Sequence, residues 1–98
     1  MTVWKEPLQF QWDAGNRDKN WIKHRVTNVE CEEVFFDPHK RLLQLASHTD
    51  SETRYGLLGH TKKERLLLVV FTIREHAVRV ISARDLHRKE RGLYEEAA

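Results

Sequence analysis

Ninety-eight residues make one domain, and a 40% hydrophobic share supplies enough apolar material for a small core, which excludes a disordered chain. Charged residues reach 33%, above the roughly 25% of an average globular domain, yet the net charge is only +2, so bulk charge does not by itself argue for nucleic acid. A lone cysteine, Cys31, rules out an internal disulfide, and the longest apolar run, 66–71, falls far short of the roughly 20 residues that span a bilayer.

These bounds, with a start that lacks the apolar core of a signal peptide, predict a soluble cytoplasmic protein. No repeat, linker or low-complexity stretch divides it, so residues 1–98 are expected to form a single domain. Basic residues are grouped locally, at 21–25 and again at 79–91.

In chain order, residues 8–12 alternate apolar and polar, which predicts a short half-buried strand. Asp13 stands where a helix N-cap belongs, with a helix over about 14–24 that Gly15 and Asn16 weaken. Trp12 and Trp21 are placed on buried faces. Thr27 and Glu30 fit a capping box, starting a second short helix that ends at Asp37-Pro38.

Residues 41–48 alternate as a strand, followed by a polar connection over 48–52 and a second strand over 53–59. Residues 65–74 are apolar on both faces, which predicts a central strand. Glu75 and His76 mark a hairpin tip. Neither is a good two-residue turn former, so a longer loop is allowed. Residues 77–83 return beside it. Asp85 is the expected cap of a last helix that runs to about 95 and buries Leu86 and Leu93.

The sum is an α+β fold: an antiparallel four-stranded meander with two N-terminal helices and a C-terminal helix. Central strands apolar on both faces ask for a second cover, from a partner chain or a substrate.

The six histidines are scattered, with no cysteine pair and no HExxH, so no metal or other cofactor is expected. What remains is a set of cations and proton carriers: Arg74, Arg79, Arg84, His87, Glu90, Arg91 and Tyr94. If Arg74 pairs with Ala77, Thr72 faces Arg79, and the three share one side of the sheet. On the last helix His87, Glu90 or Arg91, and Tyr94 fall on one face.

Such a set can cleave a phosphodiester without metal. Arginines neutralise charge on the phosphate oxygens, while His, Glu or Tyr moves the proton of a ribose 2′-OH, which makes RNA the substrate. On spacing alone the plainer explanation weighs more: Arg84 beside Asp85 as a surface ion pair, and Arg88 to Arg91 as a solvated helix face. His24 after Lys23 fits a helix end favoured by the dipole equally well. Alternation sets Arg79 and Arg84 on opposite faces of a regular strand. The expectation is therefore that Arg79 joins Arg74 at the substrate, with Arg84 at the strand–helix junction, bracing Glu90 or reaching the site from the side.

Trp12-Asp13, Asn20, Lys23-His24, Val26, Val34-Phe35 and Asp37-Pro38 resemble the opening of the BrnT toxins. The second half matches too: Arg54, Gly56 and Gly59; Leu68-Val69-Val70, Thr72 and Arg74; then Arg79-Val80-Ile81-Ser82-Ala83-Arg84, and Glu90-Arg91 before Tyr94. The resemblance implies a RelE-like fold and the toxin of a type II toxin–antitoxin module: a metal-independent endoribonuclease that inhibits translation. It implies neutralisation by a BrnA-like ribbon-helix-helix antitoxin, in a dimer or heterotetramer that meets DNA only through that antitoxin. No membrane is involved.

Carried over by motif, Arg54, Arg74, Arg79, Arg84, Glu90, Arg91 and Tyr94 are the active-surface candidates, with Lys23 and His24 behind them. The chain departs from the family by Arg25 after the Lys-His pair, where glycine is common. It also lacks a Phe near Asn28 and a Lys near Asn16. The alternative is a catalytically degenerate homologue that binds the antitoxin and tunes repression, or an RNA-binding module.

Overall fold

A computed structural model describes residues 4, 6, 8–45 and 52–97. Helix α1 (Lys19–His24) and helix α2 (Asn28–Val34) precede strands β1 (Arg41–Leu45), β2 (Arg54–His60), β3 (Leu66–Arg74) and β4 (Ala77–Asp85), and helix α3 (Arg88–Ala97) closes the chain. The strands form one antiparallel sheet in the order β1-β2-β3-β4. The expected α+β meander is thus observed, with residues 46–51 of the first strand and its connection outside the described residues.

The first segment differs from expectation. In place of a strand over 8–12, a single parallel bridge joins Phe10 to Val78, and Gln11 N–H and Val78 N–H each donate 2.8 Å bonds across it. The segment lies along β4 and satisfies part of an otherwise open sheet edge.

The helix expected from Ala14 starts only at Lys19, after a turn. Asp13 accepts the Gly15 N–H at 2.8 Å, so it caps a turn and not a helix. Buried Asn16 fixes that turn, donating to Gln11 O and Val80 O at 2.9 and 3.1 Å while its Oδ1 takes the Asp13 N–H. A side chain committed to three backbone groups holds this stretch out of helix, against the local pattern.

Helix α2 begins as expected. Thr27 and Glu30 form a reciprocal capping box, with Glu30 N–H to Thr27 Oγ1 at 3.0 Å and Thr27 N–H to Glu30 Oε1 at 2.9 Å. Its inner face buries Cys31 and Val34.

The hairpin between β3 and β4 is tighter than expected. Arg74 pairs with Ala77, leaving only Glu75 and His76, both at positive φ (53° and 68°). Positive φ at both central residues is the signature of the type I′ turn, whose twist matches paired strands. Strand twist overrides the poor preference of these two residues.

One face of the sheet carries the main core, in which Val26, Cys31, Val34 and Phe35 pack on Leu57, Val69, Phe71 and Val80. Phe35 and Phe71 meet edge to face at 5.1 Å. The second face was expected to need an outside cover. In part the chain supplies it, since Leu86 and Tyr94 pack on Leu58 and Leu68. Arg41 Nη1 ties α3 to β1 by donating to Leu93 O at 2.8 Å.

Leu93 itself is exposed and Tyr94 takes the buried position, because α3 starts three residues after Asp85 and its phase is shifted accordingly. Asp85 stays in β4. The N-terminal cap contact is made instead by Glu90, which accepts the His87 N–H at 2.9 Å.

Trp12 is half-buried and donates from Nε1 to Glu32 at 2.7 Å. Trp21, expected in the core, is 45% exposed. Helix α1 packs through Asn20, whose Oδ1 accepts the Ala83 N–H at 2.9 Å, and the next residue on a helix points about 100° away.

Candidate active site

Strand β4 decides where the arginines go. Val70 pairs with Ser82 but Phe71 with Val80, so Ile81 is an extra residue, a β-bulge. The bulge reverses the alternation: Val78, Val80 and Ala83 all reach the same core. Arg79, opposite Thr72, and Arg84, opposite Leu68, therefore share the other face, contrary to the expectation from a regular strand. Their partners are four residues apart on β3, about 13 Å at 3.3 Å per residue. One phosphate does not span that distance, so the candidates divide between two ends of the sheet.

At the hairpin end, Arg79 is held by Asp13 at 2.8 and 3.1 Å and by Gln11 at 3.0 Å, with only 14% of its side chain exposed. It pins the N-terminal segment to β4. Arg74 forms a two-pronged pair with Glu52 at 2.8 and 3.1 Å. The hydrogen bonds from these arginines draw the Asp13 and Glu52 carboxyls below their usual range. Arg54 is exposed and makes no hydrogen bond or ion pair with the described residues. A cleft of about 260 Å³ lies beside it, lined by Glu52, Thr53, Tyr55, Thr72 and Ile73.

At the other end, Arg84 braces Glu90 through two parallel 2.8 Å bonds. That guanidinium, against a smaller opposing effect of burial and with help from the His87 N–H, brings the Glu90 carboxyl down to about 2. Glu90 is therefore ionised at neutral pH and holds its neighbour in place.

Next to it stands a pair that sequence inspection passed over. Arg65 binds Asp85 at 2.8 and 3.0 Å and also donates to His24 O at 3.1 Å and Arg25 O at 2.8 Å. One guanidinium thus stitches the end of α1 to the end of β4. The Asp85 carboxyl is lowered first by its hydrogen bonds from Arg65, against a smaller opposing effect of burial, with lesser help from the charges of Arg91 and His24.

Lys23, His24, His87 and Arg91 are exposed, and their side chains make no hydrogen bond or ion pair with the described residues. The Lys-His pair of α1 and the last residues of β4 with the start of α3, far apart in sequence, converge here.

Tyr94, a motif candidate, is bound to a buried carboxylate. Its hydroxyl is buried and donates to Asp37 Oδ2 at 2.7 Å, and burial followed by that carboxylate pushes its pKa well up. Asp37 is 2% exposed and also accepts from His39 N–H at 2.8 Å and His60 N–H at 3.0 Å, with the His60 ring Nε2 3.2 Å from its other oxygen. Burial works against its charge, but the bonds from Tyr94, His39 and His60 prevail and hold the carboxyl low. Tyr94 and Asp37 join α3 to the end of α2. The sequence offered Asp37 as a helix stop and as part of the family motif but not as a site residue, and a buried carboxylate has no local pattern to announce it.

A cleft of about 430 Å³ opens beside this joint, with exposed Val29 and Phe36 and the acids Glu32 and Glu33 on its walls. Among the described residues no helix is long and apolar enough to cross a membrane. No group of three or more His, Cys, Asp or Glu is placed among them to hold a metal ion.

No curated protein matches the chain. A family model described as the ribonuclease toxin, BrnT, of type II toxin–antitoxin systems matches residues 12–90, which span both ends of the sheet and the junction between α1 and α3. The chain belongs to the BrnT family of ribonuclease toxins.

Proposed function

We propose that the protein is a metal-independent endoribonuclease whose active surface lies where α1, the end of β4 and the start of α3 meet. The observation that carries this is the meeting of the end of α1, which bears Lys23 and His24, with the end of β4 and the start of α3, which bears His87 and Arg91, held together by the Arg65–Asp85 and Arg84–Glu90 pairs. Fixed ion pairs hold the backbone while the unpaired groups stay free to meet substrate.

The reaction is an in-line attack. The ribose 2′-oxygen bonds to phosphorus as the bond to the 5′-oxygen breaks, giving a 2′,3′-cyclic phosphate and a 5′-hydroxyl. One of His24 and His87 takes the 2′-OH proton and the other protonates the leaving oxygen. Lys23 and Arg91 face the charge that grows on the phosphate oxygens. Cutting messenger RNA arrests translation, and an antitoxin of the ribbon-helix-helix type holds the toxin silent in the cell.

The test is cleavage of end-labelled single-stranded RNA by the purified protein with EDTA present. Cleavage is expected to survive EDTA and to fall in His24→Ala and His87→Ala. Loss of cleavage with EDTA would refute the metal-free mechanism. Unchanged cleavage in both variants, with loss in Arg74→Ala, would move the site to the hairpin end.

A second reading has its own observation. Val29 and Phe36, 61% and 68% exposed beside the acidic cleft, suit a protein partner, so a degenerate toxin that only binds its antitoxin fits that surface. Tight antitoxin binding with no cleavage by the wild type favours it.

A further inference from the structure

Among the described residues five large apolar side chains are exposed, and their electrostatic settings differ. Val29 and Phe36 flank acids on and after α2, whereas Trp21 and Ile22 belong to α1, whose sequence KNWIKH holds two lysines and a histidine and no acid. The Arg25 guanidinium lies over the Trp21 ring, 5.2 Å from its centroid. An indole within a cationic helix is the combination that binds unpaired bases, by stacking beside backbone charge.

The backbone makes the arrangement rigid. Arg25 ends α1 in the left-handed conformation, φ 56°, with its N–H on Trp21 O at 3.0 Å. A glycine takes this cap freely, whereas an arginine does so with strain and turns its side chain back over the helix. Arg65 fixes the same turn from outside by donating to the carbonyls of His24 and Arg25. The turn that orients the platform therefore also carries Lys23 and His24.

We infer that Trp21 and Arg25 form a stacking platform for an unpaired RNA base next to the cleaved phosphodiester, and so bias where the toxin cuts. The inference rests on the ribonuclease reading and on the active surface at the α1–α3 junction. The basic setting favours RNA over a protein partner for this patch, as the acidic setting favours a protein at Phe36. Trp21 is a binding residue here and takes no part in the proton transfers.

The experiment uses a short single-stranded RNA made uncleavable by 2′-O-methyl groups, titrated at fixed salt against wild type, Trp21→Phe, Trp21→Ala and Arg25→Gly. Fluorescence quenching in wild type that is lost in Trp21→Phe is the signal of Trp21 itself, since Trp4 and Trp12 remain in both. Affinity is expected to fall about 10- to 100-fold in Trp21→Ala, with Trp21→Phe retaining most of it. Thermal melts confirm that each variant folds.

Wild-type affinity and unchanged cut sites in Trp21→Ala, with cleavage intact, would overturn the platform and leave the ribonuclease standing. A wild type that neither cuts nor binds RNA would remove both. A Trp21→Ala variant that loses affinity for the antitoxin but not for RNA would assign the patch to the partner and overturn the inference.

Discussion

The two ends of the sheet carry similar arginines to different effect. At the hairpin end Arg79 and Arg74 are matched by Asp13 and Glu52, and their bonds tie a terminal segment and a strand connection to the sheet. At the helix end the matched pairs Arg84–Glu90 and Arg65–Asp85 form a frame, and the elements it joins carry Lys23, His24, His87 and Arg91, whose side chains are unpaired among the described residues. An arginine near a sheet edge is thus no sign of substrate binding until its counter-charge is known. Coulomb attraction to a fixed carboxylate at 2.8 Å has to be displaced before a phosphate gains anything.

The largest expected effect separates the ends by activity. His24→Ala and His87→Ala are each expected to lower RNA cleavage about 10²- to 10⁴-fold with melting temperature nearly unchanged. Arg79→Ala is expected to leave cleavage within tenfold. Steady-state rates on one labelled RNA, with melts in parallel, check both halves.

Next in size, Asp37→Ala removes the acceptor of Tyr94, His39 and His60 and is expected to cost about 3 kcal/mol of unfolding free energy, read from urea denaturation. Tyr94→Phe removes a single bond from the same joint and is expected to cost about 1–2 kcal/mol. If Tyr94→Phe lost cleavage while keeping its stability, the hydroxyl would have a chemical role after all.

At the hairpin end, Arg79→Ala is expected to cost about 1–2 kcal/mol by freeing the N-terminal segment, seen as faster amide exchange at Gln11 and Val78.

A pH series probes the frame. The Glu90 carboxyl lies at about 2 in the folded protein against an ordinary value of 4.5, so the folded state binds its proton less readily than the unfolded one. The stability that Glu90 contributes is then complete above pH 4.5 and is lost as pH falls from there towards 2. Glu90→Gln is expected to flatten the acid limb of stability in that window, measured by denaturation midpoints at successive pH values. The smallest effect concerns the turn: His76→Gly relieves positive φ and is expected to add about 0.5–1 kcal/mol.

Much of the fold was legible because its signals are local. Thr27 and Glu30 sit at capping-box spacing, so α2 starts where expected. The strands read from alternation, and the pairing of Thr72 with Arg79 follows once the hairpin is centred on Glu75-His76. The candidate site was legible as a set of residue types near motifs. The Arg84–Glu90 brace was legible, six residues apart at the strand–helix junction. The rest was not legible as a place, because Arg79 and Arg74 were already spoken for by carboxylates distant in sequence, Asp13 and Glu52.

Taken alone, the sequence determined the α+β meander, the capped second helix and the family, since each rests on spacing within a few residues or on motif order. Only the tertiary structure decided that a bulge at Ile81 turns Arg79 and Arg84 to one face. It also decided that Asn16 stops the first helix short, that Asp37 locks Tyr94 away, and that Trp21 faces solvent. Each of these depends on a partner distant in the chain. A buried carboxylate or an extra residue in a strand leaves no periodicity to read, and shows only when the strands and helices are packed together.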